Sequence, residues 1–106
     1  MKIKVPKELP FGSHSYKILF NSNDLVDDGL HACVNHRRQH IRIKPNRPPS
    51  QLAMLLDHEA LHVINIVYMN GVLTEEQISP LAEGMAQFLA GLGIEFDWSD
   101  IPVENE

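Results

Sequence analysis

The sequence predicts a small α+β domain, with a β-sheet from its first half and two helices from its second half. Apolar and polar residues alternate in 15–21 and again in 39–44, which is the pattern of strands that bury one face. The stretch KPNRPPS at 44–50 holds three prolines and cannot continue a strand or a helix, so it is a connector. From 51 to 69 the chain contains no proline or glycine and is rich in Leu, Ala and Met, as expected of a long helix.

Length and composition indicate one folded unit. The chain has 106 residues, of which 43% are hydrophobic and 22% are charged, and a chain of this size builds one core and not two. We therefore expect a single domain over 1–106, with an N-terminal arm at 1–14 and a flexible tail at 99–106.

The charge balance argues against a nucleic-acid partner. Fourteen acidic and nine basic residues give a net charge of −5, whereas proteins that bind nucleic acid present a basic surface. The one basic cluster, NHRRQHIRIK with nearby Arg47, is short. We interpret it as a solvated hairpin tip in preference to an RNA contact or a nuclease site.

Cysteine usage and hydropathy predict a cytoplasmic location. Cys33 is the single cysteine, so the chain cannot form an internal disulfide, which fits a reducing compartment. The lysines of MKIKVPKELP are not followed by the apolar segment of a signal peptide. No stretch approaches the ~20 apolar residues of a membrane span, so we expect no membrane partner.

Three strands are predicted in the first half of the chain. The first covers 15–21, and the next two cover 30–35 and 39–44. A loop of about four residues would join the last two strands as an antiparallel hairpin. The acidic stretch SNDLVDDG at 22–29 predicts a helical turn or a loop.

The connector is followed by the predicted long helix. Ser50 is its expected N-cap, and the helix runs from Gln51 to about Met69. Asn70 and Gly71 are the expected stop, because both residue types accept the left-handed conformation found after helix ends.

A second helix is predicted after this stop. Thr74 and Gln77 have the spacing of a capping box, which opens a helix. Pro80 conflicts with a continuous helix, so the sequence predicts either a kink or a restart with Ser79 as the cap and Pro80 at the first position. The helix then extends through Leu89.

A charged trio lies inside the apolar run LLDHEALHVI at 55–64. On a helix, His58 and His62 are separated by one turn and project from the same face, so both imidazoles can bind one zinc ion. Glu59 follows the first of these ligands, where it can take a proton from a zinc-activated water. The alternative is a pair of structural histidines with hydrogen-bond partners. For a metal site, Asp57 and Gln87 are candidates to accept the outer N–H of a ligating imidazole.

A catalytic zinc site needs a third protein ligand. Glu83 is the favoured candidate, because it follows His62 on a second helix and is flanked by apolar residues. Glu75 and Glu76 compete with it, but acidic residues in the first turn of a helix are expected for dipole and capping reasons. Three strand or hairpin histidines are further candidates: His31, His36 and His40.

The chain resembles the small zinc metallopeptidase-like proteins encoded by phages and prophages, which are relatives of the minimal gluzincins and of the anti-repressor peptidases of mobile elements. The resemblance lies in LLDHEALHVI, in LTEEQISPLAEGMAQFLAGLG and in YKILFNSNDLVDDGLHACVNHRRQHIRIK, and it extends over about 16–92. HExxH is its specific part. SPLAEG departs from the family's uninterrupted helix, and no counterpart is visible for the Tyr or His that stabilises the oxyanion in larger relatives.

This resemblance implies a minimal zincin-like fold. A small antiparallel β-sheet would pack on the HExxH helix, and a glutamate-bearing helix would follow. His58, His62 and Glu83 would bind Zn²⁺, with Glu59 as the general base. An edge strand at 39–44 would align a peptide or protein substrate by β-augmentation.

Two functions follow as hypotheses. The first is a zinc-dependent metallopeptidase that works in the cytoplasm of the host cell if the gene belongs to a phage. The alternative is a non-catalytic zinc-containing phage protein that acts as a protein-binding module.

Overall fold

The computed structural model describes residues 1–21 and 31–104 and confirms a small α+β domain. The turn or loop expected at 22–29 lies outside the described residues. The strands and helices follow in the order β1 (Lys2–Lys4), β2 (Glu8–Phe11), β3 (His14–Phe20), β4 (Ala32–Asn35), β5 (His40–Ile43), α1 (Pro49–Tyr68), α2 (Glu75–Gly91) and β6 (Glu95–Asp97).

The main sheet is mixed, whereas an antiparallel sheet was expected. Its strand order is β2-β3-β5-β4. The β4–β5 hairpin is antiparallel as predicted, but β5 pairs with β3 in parallel. The cause is the position of β4, which follows β3 in sequence yet lies outside β5. The returning strand therefore lies between the two and runs in the direction of β3.

The strand at 39–44 is not at an edge of this sheet. Lys17 to Phe20 pair with one side of β5, and Ala32 to Asn35 pair with the other. Both rows of its backbone hydrogen-bonding groups are therefore used within the sheet, and a peptide cannot add to this strand. This corrects the expectation that 39–44 aligns a substrate.

The two ends of the chain belong to the fold. The expected N-terminal arm forms β1 and β2; β1 pairs in parallel with β6, and Val5 is buried. At the other end Ile101 is buried, and Val103 forms a bridge to Phe20. The expected arm at 1–14 is therefore made of paired strands, and the tail is anchored through Glu104, the last residue described.

The core lies between the sheet and α1. The alternation in β3 and β5 is confirmed, because Ile18, Ile41 and Ile43 are fully buried. Helix α1 contributes the buried side chains of Leu52, Leu55, Leu56 and Val63. Phe96 and Trp98 pack against the same core. One face of α1 is therefore fixed on the sheet, and the other is available to contact α2.

Prolines set the start of α1. Pro48 is the N-cap, with φ −55° and ψ 147°, and Pro49 is the first helical residue, so Ser50 is not the cap that the sequence predicted. The φ angle of proline already suits a first turn, which lets the helix begin earlier. Asn70 and Gly71 have φ angles of 53° and 71°, which confirms the predicted stop.

Helix α2 is continuous from Glu75 to Gly91 and contains Pro80. The capping box is confirmed: Gln77 N donates to Thr74 Oγ1 at 3.2 Å, and Thr74 N donates to Gln77 Oε1 at 2.9 Å. Pro80 does not end the helix, although its ring removes one backbone hydrogen bond. Among the described residues, no helix is both long and apolar enough to cross a membrane.

Candidate metal centre

Two consecutive turns of α1 present His58 and His62 toward α2. Their ring centroids are 5.0 Å apart and the rings are tilted by 50°. Both are largely shielded, with side-chain exposures of 18% for His58 and 27% for His62. The i, i+4 spacing therefore places both imidazoles on one face, as the motif predicted.

The carboxylate that meets both imidazoles belongs to Glu75. His58 Nε2 lies 2.7 Å from Glu75 Oε1, and His62 Nε2 lies 2.7 Å from Glu75 Oε2. Desolvation alone would raise the pKa of Glu75, but its interactions with the two imidazoles outweigh this and hold the pKa below its ordinary value. Two helices thus bring three potential metal donors to one point.

The turn between the helices fixes the position of Glu75. Asn65 is buried, and its side chain accepts from Leu73 N at 2.9 Å and donates to Leu73 O at 3.1 Å. The capping box starts α2 at the next residues. Glu75 is therefore positioned by a hydrogen-bonded connection to the helix that carries His62.

Glu83, the favoured third ligand from the sequence, lies two turns further along α2. It is exposed and lines a small cavity of about 290 Å³ that also borders His58 and Glu59. The apolar neighbours that made Glu83 look buried are themselves exposed, Leu81 by 50% and Met85 by 46%. The structure therefore brings Glu75, and not Glu83, against the imidazoles.

Glu59 is the most buried charged group of the site, with 6% exposure. Its carboxylate and the two imidazoles offer ligand atoms that all lie within 4.8 Å of one another. Burial, with a smaller contribution from the negative charge of Glu75, raises the pKa of Glu59 to about 7. A carboxylate with this pKa can accept and return a proton near neutral pH.

A further histidine approaches the site from the β4–β5 hairpin. Burial lowers the pKa of His36, and the nearby His62 lowers it further. The His36 Nδ1 atom is 3.2 Å from the Tyr16 hydroxyl, and Tyr16 is buried in strand β3. From the sequence, His36 is only a rival candidate for a metal ligand, because the spacing of residues does not show that this hairpin reaches α1.

The other proposed residues lie elsewhere. His31 contacts Arg47 and borders the small cavity, while the charges around His40 come mainly from Arg42 and Glu104. Asp57 and Gln87, the expected partners of the ligating imidazoles, line a separate, larger cavity. Within the described ranges, no hydrogen bond joins either of them to His58 or His62.

The donor set fits a zinc ion. Zinc binds imidazole nitrogen and carboxylate oxygen at 2.0–2.2 Å in a tetrahedral arrangement, which separates the ligand atoms by roughly 3.3 Å. The 2.7 Å contacts of Glu75 need to open by only about half an ångström to reach that spacing. No family model, curated protein or solved structure matches this chain.

The arrangement has the chemical parts of a metal-assisted hydrolysis site. His58, His62 and Glu75 can hold the ion, and Glu59 lies beside them as a proton acceptor. The small cavity that borders His58 and Glu59 gives a reactant access to these groups.

Proposed function

We propose that the protein is a zinc-dependent peptide hydrolase, with His58, His62 and Glu75 as the metal ligands. The observation that carries the proposal is the pair of 2.7 Å contacts between the two imidazoles and one carboxylate. The buried Glu59 next to this cluster supports hydrolysis in preference to metal storage.

When bound, zinc lowers the pKa of water and polarises a carbonyl group. Glu59 accepts the proton of the attacking water and delivers it to the leaving amine. His36, held by Tyr16, is the group that can donate a hydrogen bond to the carbonyl oxygen as negative charge develops on it. His36 would thus stabilise the oxyanion, a role for which the HExxH motif itself supplies no residue.

The substrate enters through the small cavity. This cavity lies between the start of β4, helix α1 and helix α2, and it is bordered by His31, Ala32, His58 and Glu59. A peptide that runs past β4 would present its carbonyl groups to the metal ligands. β5 is excluded from this role because it is paired on both sides.

The test compares Glu59→Gln with the wild-type protein. Elemental analysis should find one zinc per chain in both, and hydrolysis of a mixed peptide library should fall by about 100-fold or more in the variant. Glu76→Gln, which changes an exposed carboxylate of α2, is the control and should keep its activity. The proposal is wrong if the protein takes up no zinc at micromolar concentration or if Glu59→Gln cleaves at the wild-type rate.

A second candidate function, a zinc-containing protein-binding module, is favoured by the outer face of α2. Leu81, Met85, Phe88 and Leu92 share one face, and each is between 46% and 61% exposed. These side chains form a contiguous apolar patch and are not isolated exposed residues, so they can contact the apolar face of a helix in a partner protein. The chain has Asp and Glu residues but no Lys or Arg after Arg47, so this half of the protein is acidic. A basic partner would therefore be attracted to it.

The coordination of the metal distinguishes the two functions. In cobalt-substituted protein, a change in visible absorption on adding a small hydroxamate indicates an open coordination position and favours the hydrolase. A spectrum that does not respond indicates a site closed by protein ligands and favours the binding module.

A further inference from the structure

A second, larger cavity lies next to the small cavity that borders the candidate metal centre. Its volume is about 760 Å³, and it lies between the first turns of α1, the second half of α2 and the start of β6. Its walls are mainly apolar and include Ala53, Met54, Leu89, Ile94 and Phe96. This volume is within the range of cavities that bind small molecules or side chains.

The large cavity adjoins the small one. Met54 and Glu83 line both, and the small cavity also borders His58 and Glu59. A group in the large cavity would therefore be next to a peptide bond held at the metal centre.

The charged lining of the large cavity is mostly anionic. Three carboxylates, from Asp57, Glu83 and Glu95, border it together with one ammonium group, from Lys2. The Oδ2 atom of Asp57 is buried and has no hydrogen-bond partner in the described parts of the chain. A buried carboxylate oxygen without a partner is costly, and a donor supplied by a ligand would satisfy it.

We propose, on the basis of the proposed function, that this cavity binds the Lys or Arg side chain of a peptide substrate at a position adjacent to the cleaved bond. The methylene groups of such a side chain would pack against Met54 and Phe96, because long basic side chains bury their stems on apolar surface. The ammonium or guanidinium group would lie between Asp57 and Glu83. Glu83 is thus assigned to substrate selection and not to zinc.

The first experiment measures specificity with matched peptides. Two peptides that differ only in Lys against norleucine have side chains of similar shape, so charge is the main difference. Zinc-loaded wild-type protein should cleave the lysine peptide with at least about 10-fold higher kcat/KM. In the double variant Asp57→Asn with Glu83→Gln, the ratio should fall to about one while the zinc content is unchanged.

Two further variants secure this comparison. Glu83→Gln alone changes an exposed side chain and keeps the test valid should the Asp57 variant fail to fold. Glu76→Gln removes an equal charge from the same helix outside the cavity, and it should retain the full preference for lysine. An equal loss of preference in Glu76→Gln would attribute the effect to overall charge and overturn the proposal.

The second experiment does not depend on hydrolysis. Nα-acetyl-lysine amide, whose side-chain ammonium group is free, is titrated into the zinc-loaded protein, and the backbone amide resonances are followed by NMR. The resonances of Ala53, Ala86 and Ala90 should shift, and the matched norleucine compound, which lacks the ammonium group, should shift them only at a much higher concentration.

The two experiments separate this inference from the proposed function. Cation binding without any peptide cleavage supports the cavity assignment and contradicts the hydrolase. Peptide cleavage without preference for lysine or arginine, and without cation binding, overturns the cavity assignment and leaves the hydrolase intact. Binding of the lysine compound together with equal cleavage of both peptides would identify a site for small amines and overturn the assignment to a substrate side chain.

Discussion

Two polar clusters in this molecule have the same plan but different chemistry. In each, one carboxylate faces nitrogen atoms from two other side chains. Glu104 accepts hydrogen bonds from Asn21 Nδ2 and from Arg42 Nε, the latter at 3.0 Å. Glu75 instead faces His58 Nε2 and His62 Nε2, both at 2.7 Å.

The difference lies in what the nitrogen atoms can do. The guanidinium of Arg42 is a permanent cation and has no lone pair to offer a metal. A neutral imidazole has one, and zinc accepts it. The Glu104 cluster is therefore complete as an ion pair, whereas the Glu75 cluster has the composition of a metal site.

The surroundings of the two clusters differ in the same sense. The side chain of Glu104 is 26% exposed and its cluster joins the C-terminal segment to β3 and β5, so it stabilises the fold. Glu75 is 60% exposed and lies at the contact of two helices, where a solute can reach it. The two clusters have similar ion-pair distances, so these distances alone do not distinguish a structural cluster from a candidate metal site. The type of nitrogen donor and the access of solvent to the carboxylate do distinguish them.

The largest expected effect comes from removing an imidazole. His62→Ala removes one of the three proposed zinc ligands. We therefore expect the affinity for zinc to fall by more than about 100-fold, which exceeds the effect of removing a side chain that only hydrogen-bonds to a ligand. Competition with a chromophoric chelator measures this. Arg42→Ala, which disrupts the other cluster, should leave zinc affinity unchanged; equal affinities in His62→Ala and wild type would remove the distinction between the clusters.

The next effect distinguishes Glu75 from Glu83 on α2. Glu75→Gln keeps the shape of the side chain but weakens its donation to a metal, so zinc affinity should fall by about 10- to 100-fold. Glu83→Gln should change it by less than about threefold, because Glu83 does not contact the imidazoles. The same chelator competition applies. The reverse order of effects would show that Glu83 is the ligand and that Glu75 only pairs with the histidines.

The histidines of the site could be predicted from the sequence, but the choice between Glu75 and Glu83 could not. The i, i+4 spacing of His58 and His62 predicted a shared helix face, and the structure has it, because that relation depends only on local helix geometry. The choice between Glu75 and Glu83 depended on how α2 packs on α1. The apolar residues around Glu83 in the sequence suggested that Glu83 is buried. Leu81 and Met85 are exposed, so apolar neighbours in the sequence did not indicate burial here.

In the fold, too, local features were predicted from the sequence and features that depend on tertiary packing were not. The alternation in β3 and β5 predicted their buried residues, and the capping box of Thr74 predicted the start of α2. The parallel pairing of β3 with β5 was not predicted, because it depends on where β4 lies and not on any pattern within either strand. The short strands β1 and β6 were also missed, since three residues are too few for a period to be recognised.

The structural cluster should respond in stability and not in zinc binding. Glu104→Gln removes the charge that Arg42 and Asn21 contact, and we expect a loss of about 1–2 kcal/mol in the free energy of unfolding, because the pair is partly exposed. Urea denaturation of the zinc-loaded protein measures it. Zinc affinity should be unchanged. A Glu104→Gln protein as stable as wild type would mean that this ion pair contributes nothing to the fold.

The smallest effect is the pH dependence of that difference. The hydrogen bond from Asn21 is the main cause that lowers the pKa of Glu104 below its ordinary value of 4.5, with Arg42 adding to it. A carboxyl group with a lowered pKa in the folded state stabilises the protein above the pKa of the unfolded state, and this stabilisation is lost as the pH falls through the folded-state pKa. Wild type and Glu104→Gln should therefore differ most above about pH 5 and converge in acid. A stability difference that stays constant from pH 7 to pH 3 would show that the glutamine variant loses packing or hydrogen-bond geometry and not charge, and Glu104 would then no longer be the charged counterpart of Glu75.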